Sequence, residues 1–135
     1  MADATFSASF RIMGKDLDPS EVSRLLGLEP DEAHRAGDPR PSSLGRTYSA
    51  YSAGIWSLVS QVDQRMPPGD HAAGLLARLE GRGQVLRQIK ELGYELDLFL
   101  GVFGDGGGNF GFSVDNRTMM ALAEFGISLE VDVYG

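Results

Sequence analysis

Between Gly104 and Gly111 the chain reads GDGGGNFG, and Gly106, Gly108 and Gly111 fall in a G-x-G-x-x-G spacing. That spacing cradles a pyrophosphate when the glycines lie between a strand and a helix start, whose free amides and dipole meet the anion. Here Phe110, Phe112 and Val114 alternate behind the glycines as a strand does, no Gly-Lys-Ser/Thr follows, and neither lysine is nearby. The expectation is a hairpin tip in which glycine supplies positive φ.

Three further groupings have the residue types that chemistry needs. His34 and His71 are the two histidines, too far apart in sequence for H-x-x-x-H or H-E-x-x-H ligation, so no metal is expected and each reads as a buried or first-turn residue. Glu95 and Asp97 share one face of an alternating segment, as do Glu130 and Asp132. Close pairing of those segments would allow acid/base work, whereas a solvated polar sheet face needs no such pairing. The third grouping is His34, Arg35, Arg40 and Arg46 on a long loop, followed by Tyr48, Tyr51 and Trp56. Arginines among aromatics suit an anion or a protein surface. They equally suit pinning a loop onto an acidic domain, and Trp56 midway along a strand suits a core. With zero cysteines, no G-x-S-x-G and no serine–lysine pair, neither a thiol nor a serine nucleophile is indicated, and no cofactor is expected.

Composition narrows the partners. At 135 residues, 42% of them hydrophobic and 23% charged, the chain fits one globular domain over residues 1–135. Its net charge is −7, with lysine only at positions 15 and 90, so it lacks the basic footprint of a nucleic-acid binder. No segment reaches the run of about 18 apolar residues that a membrane helix needs. MADATFSASFR lacks the basic-then-apolar order of a secretion signal, and the expected compartment is the cytoplasm.

Periodicity supplies the elements that must position these groups. Residues 5–13 alternate, with Phe6, Ala8, Phe10 and Ile12 on one side and Ser7, Ser9 and Arg11 on the other. Asp18, Pro19 and Glu21 spell an N-cap, a first-turn proline and a capping box ahead of Val22, Leu25 and Leu26, with Gly27 as terminator. Residues 29–46 form a long loop with room for one helical turn after Pro30, and residues 47–60 return to strand composition. Asp70 is placed to cap a helical stretch that Gly81 and Gly83 divide in two. Strands are expected over 94–103, 110–114 and 127–133, with a helix capped by Asp115 or Asn116 that Gly126 ends. FRIMGKDLDPSEVSRLLGL and FSVDNRTMMALAEFGISL share an order of strand, capped helix, glycine and apolar residue, which reads as a half-repeat.

The same order of motifs resembles a bacterial family known as domain of unknown function 4279. The resemblance rests on Phe10, Ile12 and Gly14, on Leu17-Asp18-Pro19 with Val22, and on Leu26-Gly27-Leu28 with Pro30. It continues through Gly37, Trp56, the helix start from His71 to Leu79, Phe125-Gly126-Ile127 and Tyr134. The resemblance implies no activity or catalytic set, and its matching positions are those assigned to caps, turns and core, so it supports the fold more than any site.

The expected fold is α+β: about five mainly antiparallel strands, with three or four helices packed mostly on one face. The expected role is a non-catalytic protein-interaction domain, one version being an acidic immunity-type protein that neutralises a basic partner. The alternative is a sensor of small anionic ligands using the arginine-bearing loop and Trp56, and a third reading is an enzyme working through Glu95 or Asp97 with Glu130 or Asp132. Both a monomer and a homodimer joined by sheet extension at an edge strand are compatible with this pattern.

Overall fold

The computed structural model describes residues 4–40, 49–106 and 108–134. The alternation of the first segment builds β1 (Thr5–Gly14), whose inward residues Phe6, Ala8, Phe10 and Ile12 are all buried. Because β1 is apolar on one side and polar on the other, it can sit at the centre of a sheet that is covered on one face. It pairs antiparallel with β3 (Gly54–Val59) and with β4 (Glu95–Phe103). The short β2 (Glu32–His34) adds antiparallel to the outside of β3, and β5 (Ser128–Tyr134) adds parallel to the outside of β4. The order is β2-β3-β1-β4-β5.

Among the described residues four helices form the second layer: α1 (Pro19–Leu26), α2 (Pro68–Arg78), α3 (Gly83–Glu91) and α4 (Asn116–Phe125). Val22, Leu75, Leu86, Ile89 and Leu122 from this layer meet Phe10, Trp56, Leu58, Leu98 and Leu100 from the sheet in one continuous core. Each large side chain so buried contributes about 1.5–3 kcal/mol.

The α+β class, five strands, four helices and the break between α2 and α3 are as the pattern implies. The sheet, however, is mixed rather than antiparallel throughout. The link from β4 to β5 runs through α4, and a helical crossover returns the chain to the end where it started, which makes the next strand parallel. Residues 110–114 join no ladder. Their alternating phenylalanines anchor the crossover instead: Phe110 lies so close over Gly104 that a Cβ there would meet its ring at 2.6 Å, and Phe112 stands edge-on to Phe6 with ring centroids 6.1 Å apart. The glycine stretch is therefore no hairpin tip but the start of a βαβ crossover. The half-repeat is reduced accordingly to its helix ends. Asp18 and Asp115 both cap by accepting a backbone amide hydrogen bond, and Gly27 and Gly126 end their helices at φ 69° and 70°.

Smaller departures are local. Glu21 does not complete a capping box; its carboxylate meets Arg24 at 2.6 Å. Helix α2 begins at Pro68, leaving Asp70 in the first turn rather than at the cap. No helical turn follows Pro30, because the edge of β3 captures the chain: the Asp31 amide donates to the Ser57 carbonyl at 2.8 Å, and the Asp31 carboxylate accepts from the Val59 amide at 2.7 Å.

Candidate functional site

Strand alternation assigns every second residue to the face of the sheet away from the helices. One row across that face is Glu32, Ser57, Arg11, Asp97 and Ser128, taken from five successive strands. Adjacent rows add Met13 beside Glu95, Phe99 beside Glu130, and Gly101 beside Asp132. Five carboxylates thus share this face with Arg11.

Arg11 and Asp97 form its centre. The guanidinium donates from Nε to Oδ1 at 2.8 Å and from Nη2 to Oδ2 at 2.6 Å, and it also lies 4.5 Å from the centre of the Phe99 ring. The hydrogen bonds to Asp97 raise the Arg11 pKa above its ordinary value against the opposing effect of burial, and the fields of Asp97, Glu130 and Asp132 act in the same direction. With both oxygens of Asp97 engaged by one fork, that carboxylate is a structural partner of Arg11. Among the described residues no ion pair reaches Glu32, Glu95, Glu130 or Asp132.

Where β4 and β5 begin, Glu95, Asp97 and Glu130 line a shallow depression of about 350 Å³ with Lys90 at its rim. The adjacency of β4 and β5 therefore brings the two carboxylate pairs together. Lys90 is itself anchored by donating to the Gly126 carbonyl at 3.1 Å.

The arginine-bearing loop divides its side chains between two separate contacts. His34 stacks on Tyr51, with ring centroids 3.4 Å apart and planes 10° from parallel, and the Arg40 guanidinium lies 5.8 Å from the centre of the same tyrosine ring. Arg35 turns the other way and meets Asp18 at 2.7 Å, tying the loop to the N-terminus of α1. Trp56 is fully buried on the helix side, where its indole donates to Ser23 Oγ at 3.0 Å, so it shares no surface with His34. Alternation is the reason: His34 sits opposite Ile55, and the next residue along β3 points to the other face. Arg46 and Tyr48 lie outside the described residues. The groove beside His34 and Tyr51, about 740 Å³, is lined among the described residues by the carboxylate residues Asp31, Glu32 and Asp38 and not by Arg35 or Arg40.

The glycine stretch and His71 lie apart from this sheet face. In the glycine stretch Gly106 and Gly108 take φ 77° and 133°, and Gly107 lies outside the described residues. The next helix start is already occupied, since the Asp115 carboxylate accepts from the Thr118 amide at 2.8 Å, which leaves a phosphate to compete with a built-in anion. His71 is buried, and its Nδ1 lies 2.7 Å from Ser60 Oγ, which also accepts from the Val62 amide. Burial lowers the His71 pKa, opposed by the backbone at Met66 and Asp63 and by the carboxylates of Asp70 and Asp63. Among the described residues no group of His, Cys, Asp and Glu could hold a metal, and no helix is long and apolar enough to cross a membrane.

The family described as "Domain of unknown function (DUF4279)" matches residues 4–135, nearly the whole chain. The chain belongs to this family. Searches of the curated proteins and of the solved structures found no match. Within this DUF4279 domain the family-like positions Asp18, Gly27, Trp56 and Gly126 all prove to be caps, helix ends and core. Sequence reasoning missed Glu32, which carries no strand signature, and Arg11 at the centre of the face. The signal of Arg11 was present, as the one charged residue on the polar side of an otherwise Ser/Thr-rich strand, but its partner lies 86 positions away.

Proposed function

We propose that this domain is a non-catalytic interaction module whose helix-free sheet face receives a basic protein partner, in the way that acidic immunity-type proteins neutralise one. The observation that carries the reading is the composition of that face: Glu32, Glu95, Glu130 and Asp132 surround an arginine already engaged by Asp97. A predominantly acidic patch on a chain of net charge −7 raises the encounter rate with a positive partner and rejects a negative one. In the absence of cysteines a reducing compartment is compatible, and the cytoplasm is our reading.

The test compares two variants of equal charge. Glu95→Gln/Glu130→Gln/Asp132→Asn neutralises the sheet face, and Glu80→Gln/Glu91→Gln/Glu124→Gln removes three charges from exposed positions in and beside the helix layer. On columns of each immobilised protein at low salt, wild type and the helix-layer variant are expected to retain basic proteins from a lysate, while the face variant loses them. Equal retention by the two variants means that net charge, not this face, does the binding, and the proposal falls.

A further inference from the structure

The acidic face ends at β5, and β5 ends the sheet. All seven of its residues are exposed, so among the described residues neither a helix nor a loop covers its outer edge. The direction of its backbone follows from one hydrogen bond: the Tyr134 carbonyl accepts from the Gly104 amide at 2.7 Å, on the β4 side. The N–H and C=O of one strand residue point to the same neighbour, and those of the next residue point the opposite way. Residues 128, 130, 132 and 134 therefore turn their backbone groups toward β4, and Leu129, Val131 and Val133 turn theirs outward.

The side chains at this edge are also unfinished. On the helix side, Leu98 and Leu100 of β4 are 4% and 2% exposed, whereas Leu129, Val131 and Val133 of β5 are 36%, 37% and 60% exposed. On the other side stand Glu130, Asp132 and a stacked aromatic pair, Phe103 and Tyr134, with ring centroids 5.0 Å apart. From this juxtaposition we infer that the outer edge of β5 is a strand-addition site for an extended, basic segment of the partner, with lysine or arginine alternating with apolar residues. The inference rests on the acidic-face reading and specifies the form of its partner. The added strand bonds the outward amides and carbonyls, sets its apolar residues over Leu129, Val131 and Val133, and sets its cations beside Glu130 and Asp132. Arginine is favoured near Tyr134, where a guanidinium can lie on the aromatic pair.

At the registers centred on residues 130 to 132, which overlap the middle of β5, charge weighs against a second copy of this chain as the occupant. Two β5 strands paired antiparallel about a twofold axis at residue 131 set Glu130 opposite Asp132, and centring the axis at 130 or 132 sets a carboxylate opposite its own copy. Directly opposed like charges destabilise a strand pair. The same carboxylates that discourage self-pairing thus admit a basic strand.

The test uses an alternating arginine–valine peptide, the same peptide N-methylated on alternate residues so that it cannot pair along one edge, and an alternating glutamate–valine peptide. The arginine–valine peptide is expected to bind and to slow hydrogen exchange at the amides of Leu129, Val131 and Val133. N-methylation should weaken it by about tenfold or more, as the loss of a few net hydrogen bonds implies. Glu130→Lys/Asp132→Lys, which leaves the backbone edge intact, should switch preference to the glutamate–valine peptide. If the N-methylated peptide binds as well as its parent, strand addition is overturned while the acidic-face reading stands. If no arginine–valine peptide binds, or the glutamate peptide binds wild type equally, both are overturned. If the same amides are protected without peptide in a species of dimer mass, the occupant is a second copy and the inference is wrong.

Discussion

Replacing Arg11 by methionine isolates the electrostatic centre of the sheet. Methionine keeps the apolar stem over Phe99 but removes the fork that engages both oxygens of Asp97. The Asp97 side chain is 7% exposed and that of Arg11 is 25% exposed, so the variant leaves the more deeply buried charge without a partner. Orphaning one member of a buried pair costs about 3–5 kcal/mol. This pair opens onto the solvent-facing side of a sheet, so water can reach part of the vacated space, and about 3 kcal/mol is expected. For a domain of this size that lowers Tm by about 10 °C. Asp97→Asn should be milder, about 1–2 kcal/mol, because the arginine left behind retains its water and its aromatic neighbour. The double variant Arg11→Met/Asp97→Leu should recover at least about 1 kcal/mol relative to the sum of Arg11→Met and Asp97→Leu measured singly. Urea unfolding followed by the emission of Trp56, the sole tryptophan and fully buried, supplies the measurement. An Arg11→Met variant within about 0.5 kcal/mol of wild type, or an asparagine variant less stable than the methionine one, would refute the assignment of Asp97 as the charge that must be neutralised.

Three other perturbations separate the roles described above. Because burial holds His71 below the 6.5 of an unperturbed histidine, the unfolded chain binds the proton more readily. Its contribution is therefore complete above about pH 6.5 and is lost as pH falls through the lower folded value. His71→Gln should flatten that limb of a Tm-against-pH curve, and an unchanged limb would assign it to other groups. Gly27→Ala places a Cβ at φ 69° with open space around it and should cost about 1–2 kcal/mol from backbone conformation alone. Gly69→Ala, in α2 with no close neighbour and no positive φ, should instead stabilise by about 0.4–1 kcal/mol, and calorimetry that gives the two changes the same sign contradicts the backbone reading. Iodide should leave Trp56 emission nearly unquenched in the folded protein, since the indole is enclosed and bonded to Ser23; strong quenching would mean that the ring reaches a surface.

What the residues determine without tertiary information is local. Alternation in residues 5–13 and 94–103 specifies strands that bury one side, and Asp18, Gly27, Asp115 and Gly126 specify helix ends. Each of these signals is completed by atoms within a few residues of itself. The fold class and its helix layer follow from them.

Tertiary structure decided the rest, because it set partners that no local pattern encodes. Phe110, Phe112 and Val114 alternate as a ladder strand does, yet they join no ladder, and two of the side chains clamp the crossover over Gly104 and Phe6 instead. Residues 32–34 carry no strand signature, but the exposed edge of β3 and the clamp from Asp31 make them one. The arginines of the loop were legible as a group by their proximity in sequence. Chain direction separated them, sending Arg35 to Asp18 and Arg40 toward Tyr51. The candidate surface is the converse case, since Glu32, Arg11, Asp97, Glu130 and Asp132 come from four strands and only the register lays them side by side. Sequence determines which face of each strand is polar; pairing order determines which polar faces meet, because backbone hydrogen bonds are the same for every residue and only the whole core selects among the registers.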